Sequence, residues 1–170
     1  MLNIQTNIEK NVSVDNTLLN PVFEKKKPVP LWYCYLIRSL NPTYPNYTYI
    51  GMTNKPKRRI RQHNGQIGGG AKKTKNKGPY EFVCLVEGFK DKPEAMFYEW
   101  RFQHPTDKKK VPVEYRSIFG KIDGFINVLK NYTHEKVLTI YINPTFSYYE
   151  KLQNFVKENT TKFILNNNLL

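Results

Sequence analysis

The stretch Leu31-Trp32-Tyr33-Cys34-Tyr35-Leu36-Ile37-Arg38-Ser39, linked through Asn41-Pro42-Thr43-Tyr44-Pro45-Asn46 to Tyr47-Thr48-Tyr49-Ile50-Gly51-Met52, decides the fold. The first flank is rich in Trp, Tyr, Leu and Ile, which favour strands, and the link is dense in turn formers. The two flanks are therefore predicted as a β-hairpin. Side chains alternate across a strand, so Tyr33 and Tyr35 share one face, and Tyr49 and Gly51 share one face of the partner strand.

Outward from the hairpin, Thr53 or Asn54 is expected to cap a helix with Pro56 in its first turn, running to about Asn64 and stopped by Gly65. Residues 65–79 are rich in glycine and lysine and read as a flexible cationic strap. A third strand is predicted from Tyr80 to Glu87. Asp91 and Glu94 form a capping box for a helix from Lys92 to Gln103, with Pro105 just beyond its end. A helix from Tyr115 to Asn131, weakened by Gly120 and Gly124, a strand from Val137 to Ile142 and a last helix from Ser147 to Leu165 complete the reading. The fold class is α+β: a small, mostly antiparallel three-stranded sheet flanked by helices, with an extra C-terminal strand and helix. The chain divides into a polar, basic arm (1–30), a core (31–105) and a C-terminal helical extension packed on that core (106–170).

The 170 residues suit one domain with a real core. With 39% hydrophobic and 14% aromatic residues the chain is folded rather than disordered. A net charge of +13 points to a polyanionic partner. No Asp or Glu occurs from Lys25 to Pro79, which leaves the first half as the basic surface. Lys25, Lys26 and Lys27 there read as a solvated linker, a nuclear address or a phosphate contact. Cys34 and Cys84 form no metal-ligand pattern, so no zinc module is expected, and their apolar settings predict buried free thiols. No apolar run approaches the roughly 18 residues of a membrane span, and the N-terminus lacks the regions of a signal peptide. The expected setting is intracellular, without membrane; nuclear, bacterial cytoplasmic and viral origins all fit.

Three groups of residues can carry chemistry. Arg59 and His63 lie four apart and share a helix face, where like charge should keep the imidazole neutral. A solvated basic helix would show the same spacing. Glu99 has no basic residue three or four positions away and is flanked by Phe97, Tyr98 and Trp100. A carboxylate in such surroundings is costly unless it is paired or coordinated, and Mg²⁺ often takes only one or two carboxylates. Reaching water or a distant cation would equally explain it. Tyr35 and Tyr49 stand out among twelve tyrosines by preceding the basic helix on adjacent strands. A phenol is a poor base at neutral pH unless cations or a hydrogen-bonded base favour the phenolate, and Arg59 and His63 offer both. Lys55, Lys57, Arg58, Arg61, Lys72, Lys73, Lys75 and Lys77 are candidate nucleic-acid contacts.

In this order the motifs resemble the GIY-YIG nuclease superfamily, and within it the catalytic domain of Slx-type structure-selective endonucleases. The matching stretches are Tyr33-Cys34-Tyr35-Leu36, Tyr49-Ile50-Gly51-Met52-Thr53, Arg58-Arg59-Ile60-Arg61-Gln62-His63-Asn64-Gly65, Gly68-Gly69-Gly70-Ala71-Lys72-Lys73-Thr74 and Phe97-Tyr98-Glu99-Trp100 with Gln103-His104-Pro105. The resemblance implies a metal-dependent DNA endonuclease acting on branched, flap or junction DNA. Tyr35 would be the general base assisted by His63, Arg59 would steady the scissile phosphate, Tyr49 would position phosphate or nucleophile, and Glu99 would hold Mg²⁺ or Mn²⁺. The first tripeptide departs from Gly-Ile-Tyr but keeps Tyr35. The late asparagine of some relatives has its nearest counterpart in Asn127. The cysteines of a scaffold-docking RING domain are not found, so docking through one is not expected. A non-catalytic nucleic-acid binding protein on the same fold is the alternative.

Overall fold

The computed structural model describes residues 30–133 and 136–169. The expected arm at 1–30, with Lys25, Lys26 and Lys27, lies outside the described residues except for Pro30. Strands β1 (Trp32–Ser39), β2 (Thr48–Thr53), β3 (Tyr80–Phe89), β4 (Leu138–Ile142) and β5 (Phe163–Asn166) form one sheet in the order β2-β1-β3-β4-β5. Helices α1 (Pro56–His63), α2 (Lys92–Gln103), α3 (Ile118–Lys130) and α4 (Tyr149–Glu158) connect them, with short 3-10 turns at Lys72–Thr74 and Val113–Tyr115. Only β4 and β5 pair in parallel; the other three pairings are antiparallel.

The strand alternation read from the hairpin sorts the core. Cys34 and Leu36 point to one face of β1, where they join Cys84, Val86, Ile140 and Ile142 against α2, α3 and α4. Tyr35 and Ile37 point to the other, with Tyr80, Phe82 and Leu85, and Ile60 of α1 packs there. Both cysteines are buried free thiols, as expected. Because β2 is an edge strand, helices on opposite faces, α1 and α2, can both reach its open side.

The sheet, three of the helices and the end of β3, which runs to Phe89 rather than Glu87, differ from expectation. The sheet has five strands among the described residues rather than three, because β4 joins β3 and β5 adds to β4. The last helix stops at Glu158, not Leu165. Asn159 turns the chain there, its side-chain amide donating to the Phe155 carbonyl, and the following Phe163 and Ile164 alternate buried and exposed as a strand requires. Helix α1 begins after Lys55 with no side-chain cap; the Thr53 hydroxyl accepts from the Lys55 N–H, before the first turn of the helix. Helix α3 starts at Ile118, capped by Ser117, whose hydroxyl accepts from the Gly120 N–H. Gly120 is required there rather than merely tolerated: a Cβ would lie 1.7 Å from the Glu114 carbonyl oxygen of the preceding turn. The Asp91 half of the expected capping box forms, Asp91 accepting from the Glu94 N–H at 2.9 Å, while the Glu94 carboxylate accepts from the Lys90 N–H, one residue before the cap.

Helix α3 is tied to α2 by the stacked rings of Phe102 and Phe125, 3.9 Å apart and 8° from parallel. Both side chains are about 1% exposed. Phe125→Ala is expected to cost about 3–5 kcal/mol. Because residues of α2, α3, α4 and the sheet belong to one apolar cluster, urea unfolding followed by circular dichroism should remain a single transition. Two separated transitions would show that the chain from α3 onward folds independently of the rest.

Candidate active site

The register of the hairpin sets the centre. Tyr35 pairs with Gly51 across β1 and β2, and its ring passes over that glycine. A Cβ at position 51 would sit 2.4 Å from the Tyr35 hydroxyl and 2.8 Å from the Tyr49 ring. The missing side chain is therefore what lets the phenol reach α1. There the Tyr35 hydroxyl meets Arg59 Nε at 3.0 Å and His63 Nε2 at 2.8 Å. Arg59 and His63 reach it together because they are one helical turn apart.

The hydrogen-bond directions follow from the donors. Arg59 Nε–H can only donate, so the Tyr35 oxygen accepts from it. The Thr74 hydroxyl donates its one proton to the Ala71 carbonyl at 2.9 Å, so it accepts from His63 Nδ1, also at 2.9 Å. His63 is thus the Nδ1–H tautomer, and its bare Nε2 accepts the Tyr35 proton. The result is a directed chain, Arg59 to Tyr35 to His63 to Thr74 to Ala71. Burial, and secondarily the Arg59 charge, push the His63 imidazolium down to about 4 from its ordinary 6.5, so the ring is neutral at physiological pH. That agrees with the like-charge argument, though burial is the larger cause.

Tyr35 does not rest as a phenolate. It is fully buried, and that burial raises its pKa above the ordinary phenol value despite the opposing Arg59 hydrogen bond. The cationic half of the sequence argument is overridden; the hydrogen-bonded base is the half the structure realises. Tyr49 is also raised, by burial first and then by the nearby Glu99 charge. The Arg59 guanidinium reaches the Tyr49 hydroxyl as well.

Glu99 approaches from α2 on the other face, around the β2 edge. Gln103, one turn on, bridges the two elements: its amide donates to the Ile50 carbonyl at 3.2 Å and to Glu99 Oε1 at 3.4 Å. Glu99 forms no ion pair with any described residue. Burial raises its carboxyl, and Arg59 is near enough for its charge to oppose the shift. Tyr35, Tyr49, Arg59, His63 and Glu99 therefore form one electrostatically coupled centre.

The loop at 65–79 is anchored rather than a free strap. Thr74 is 1% exposed. The Tyr47 hydroxyl donates to the Lys73 carbonyl, Tyr80 to the Thr74 carbonyl, and the Gln62 amide to the Gly68 carbonyl. Arg59 adds a bond to the Gly69 carbonyl at 3.1 Å. Its glycine and lysine content concealed this, because Thr74 draws its role from the path of the loop and not from any local pattern. Thr74, Gln62 and Gln103 are the supporting residues that sequence reasoning missed.

The candidate contact residues separate by place. Lys55 and Arg58 line a cleft with Arg59, and Lys72 and Lys73 line a groove with Tyr49. Lys75 borders the hollow between α1 and the loop, and Lys57 faces a different hollow beside Glu81. Arg61 is exposed and lines none of these. Lys77 is turned inward, its ammonium 4.1 Å from the centre of the Tyr47 ring. The Asn127 amide donates to the Pro105 carbonyl at 2.9 Å, just beyond the end of α2.

Residues 31–111 match the family described as the GIY-YIG catalytic domain. Among curated proteins, a structure-specific endonuclease subunit SLX1 homolog of Brugia malayi is 46% identical over 80 residues, 46% of this chain and 24% of that protein. The homolog of Caenorhabditis elegans is 49% identical over 78 residues, 45% of this chain and 18% of that protein. Structure-specific endonuclease subunit SLX1 of Cryptococcus neoformans is 37% identical over 117 residues, 66% of this chain and 23% of that protein. The chain thus spans at most about a quarter of the length of these relatives.

The tautomer and the lowered imidazolium are directly observable. In nitrogen-15 NMR, His63 is expected to keep its Nδ1–H form from neutral pH down to about 5 and to titrate near 4. The folded pKa lies below the unfolded one, so between about 6.5 and 4 the unfolded chain binds the proton that the folded chain refuses. Stability should accordingly fall as pH drops through that window. A His63 midpoint near 6.5 would contradict the buried relay.

Proposed function

We propose, from a chain whose residues 31–111 match the GIY-YIG catalytic domain, that it is a metal-dependent DNA endonuclease selective for branched, flap or junction structures. The observation that carries this reading is the directed chain through Tyr35 and His63, with the Arg59 guanidinium beside it and, nearby, the Glu99 carboxylate, which forms no ion pair with any described residue. A protein that only bound nucleic acid would have no use for a buried phenol bonded to a neutral imidazole. The structure-specific names of the relatives support the substrate class.

Arg59 holds the scissile phosphate by charge and by its outward N–H groups, while Gln62 and the Gly69 carbonyl fix its plane. Tyr49 stands beside it to orient phosphate or water. The attacking water gives a proton to the Tyr35 oxygen as the Tyr35 proton passes to His63 Nε2. The water oxygen bonds to phosphorus, and the P–O bond to the departing strand breaks with its electron pair. The anionic phosphate also counters the Arg59 charge that disfavours the imidazolium, so substrate binding makes His63 a better acceptor. Thr74 keeps the ring oriented throughout.

The donor set fits a hard divalent cation. Among the described residues no group of three His, Cys, Asp or Glu side chains could cage a metal. Glu99 is a partly buried carboxylate whose Gln103 contact is long, and Mg²⁺ or Mn²⁺ bound by one carboxylate, waters and phosphate oxygens suits it. When bound there, the ion supplies positive charge to the leaving oxygen.

Glu99→Ala and Arg59→Ala are expected to lower cleavage of labelled flap or junction DNA by at least about a hundredfold, with folding and most binding retained. Tyr35→Phe should be similarly inactive, and EDTA should stop the parent protein. Robust cutting by Glu99→Ala, or equal cutting of linear duplex and branched substrates, would overturn the corresponding part of the proposal.

A further inference from the structure

Beyond Tyr49 the edge of the sheet opens into a groove of about 450 Å³ that shares Tyr49 and Gln103 with the centre described above. One wall comes from the loop, with Lys72 and Lys73; another comes from α3, with Lys121. No Asp or Glu lines this groove.

Lys121 is the unusual member. It is half-buried, yet its ammonium forms no hydrogen bond or ion pair with any described residue. Asp123, the acid nearest to it in sequence, is engaged by Lys151 of α4 instead. Burial alone lowers the Lys121 ammonium below the ordinary lysine value, with no carboxylate to offset it. A partly desolvated cation without a counter-charge is unfavourable unless an anion completes it. Lys72 and Lys73, both exposed on the same groove, add positive potential and no competitor. The groove borders residues 47–50 of the hairpin, and the cleft of Lys55, Arg58 and Arg59 borders Met52 and Thr53 at the other end of β2, with Gly51 between them. The centre is thus flanked by a cationic hollow on each side, the arrangement that a continuous phosphodiester strand needs.

We infer that the groove is a second phosphate subsite, in which Lys121, together with Lys72 and Lys73, holds the backbone phosphate of a nucleic-acid strand adjoining the one held at Arg59. The inference rests on the nuclease reading and adds a positioning residue from α3, outside the segment that matches the catalytic family. The ligand is one more phosphodiester of the same strand, so Lys121 contributes to register and affinity and not to the proton transfer.

The test uses the full chain carrying Glu99→Gln, so that DNA is bound without being cut. Fluorescence anisotropy with a labelled flap substrate would be recorded from about 50 to 200 mM salt. Lys121→Met should weaken binding and reduce the slope of log affinity against log salt by about one, the signature of one lost phosphate contact. Lys121→Arg should restore both. Lys130→Met, an equal charge change on an exposed residue of α3, should leave the slope unchanged. Thermal unfolding of Lys121→Met should show no loss of stability, which separates a lost contact from a lost fold. A slope for Lys121→Met equal to that of its parent, or equal to that of Lys130→Met, would overturn the inference while leaving the nuclease reading intact. Absence of salt-dependent binding by the Glu99→Gln parent would overturn both.

Discussion

The contact on which the rest depends is the Tyr35 hydroxyl held over Gly51 between Arg59 Nε and His63 Nε2. It sets demands on four parts of the chain at once. The hairpin must keep the register that pairs residues 35 and 51. Residue 51 must lack a Cβ. Helix α1 must present two residues one turn apart, and the loop must deliver Thr74 to the far side of the imidazole. A one-residue slip of β2 would put a side chain under the phenol and turn Tyr49 to the opposite face. The aromatic packing on this side of the sheet, where Tyr35 meets Phe82, His63 and Tyr49, holds that geometry mechanically.

The same contact explains why so polar a chain of groups can be buried. Each polar atom in it has a partner with a defined direction, which is the condition for burial without a large penalty. It also explains the anchored loop. If residues 65–79 moved freely, the Nδ1–H of His63 would lose its acceptor and the tautomer would no longer be fixed. The glycines give the backbone the turns it needs around Gln62; Thr74, Tyr47 and Tyr80 give it a place to stop.

Much of this was legible in the residues. Alternation along 31–39 and 47–52 gave the hairpin and its faces, Asp91 and Glu94 gave the start of α2, and the spacing of Arg59 and His63 gave their shared direction. What was not legible depended on long-range structure. Phe163 continues the helical spacing of Leu152, Phe155 and Val156, so periodicity alone extended the last helix through a segment that instead pairs with β4. Gly120 looked like a weak point in α3 because the carbonyl it must avoid belongs to another turn. Thr74 was hidden among lysines. The state of Tyr35 was misjudged because residue types show the charges around a phenol but not its burial, and burial is the larger influence here.

Arg59 and Glu99 form no ion pair with each other, although the Arg59 charge is near enough to oppose the rise of the Glu99 carboxyl. Their helices lie on opposite faces of the sheet, and the β2 edge, braced by Gln103, keeps them apart. Had they closed into a salt bridge, the guanidinium would be neutralised toward phosphate and the carboxylate toward a cation. Held apart, the guanidinium and the carboxylate each keep their charge, near a phenol whose proton has a neutral acceptor in His63. In the proposed nuclease, an anionic diester together with a divalent cation would match both charges in a way that neither does alone. On that proposal, full charge balance at the centre would belong to the loaded state, as electrostatic preorganisation for phosphodiester hydrolysis requires.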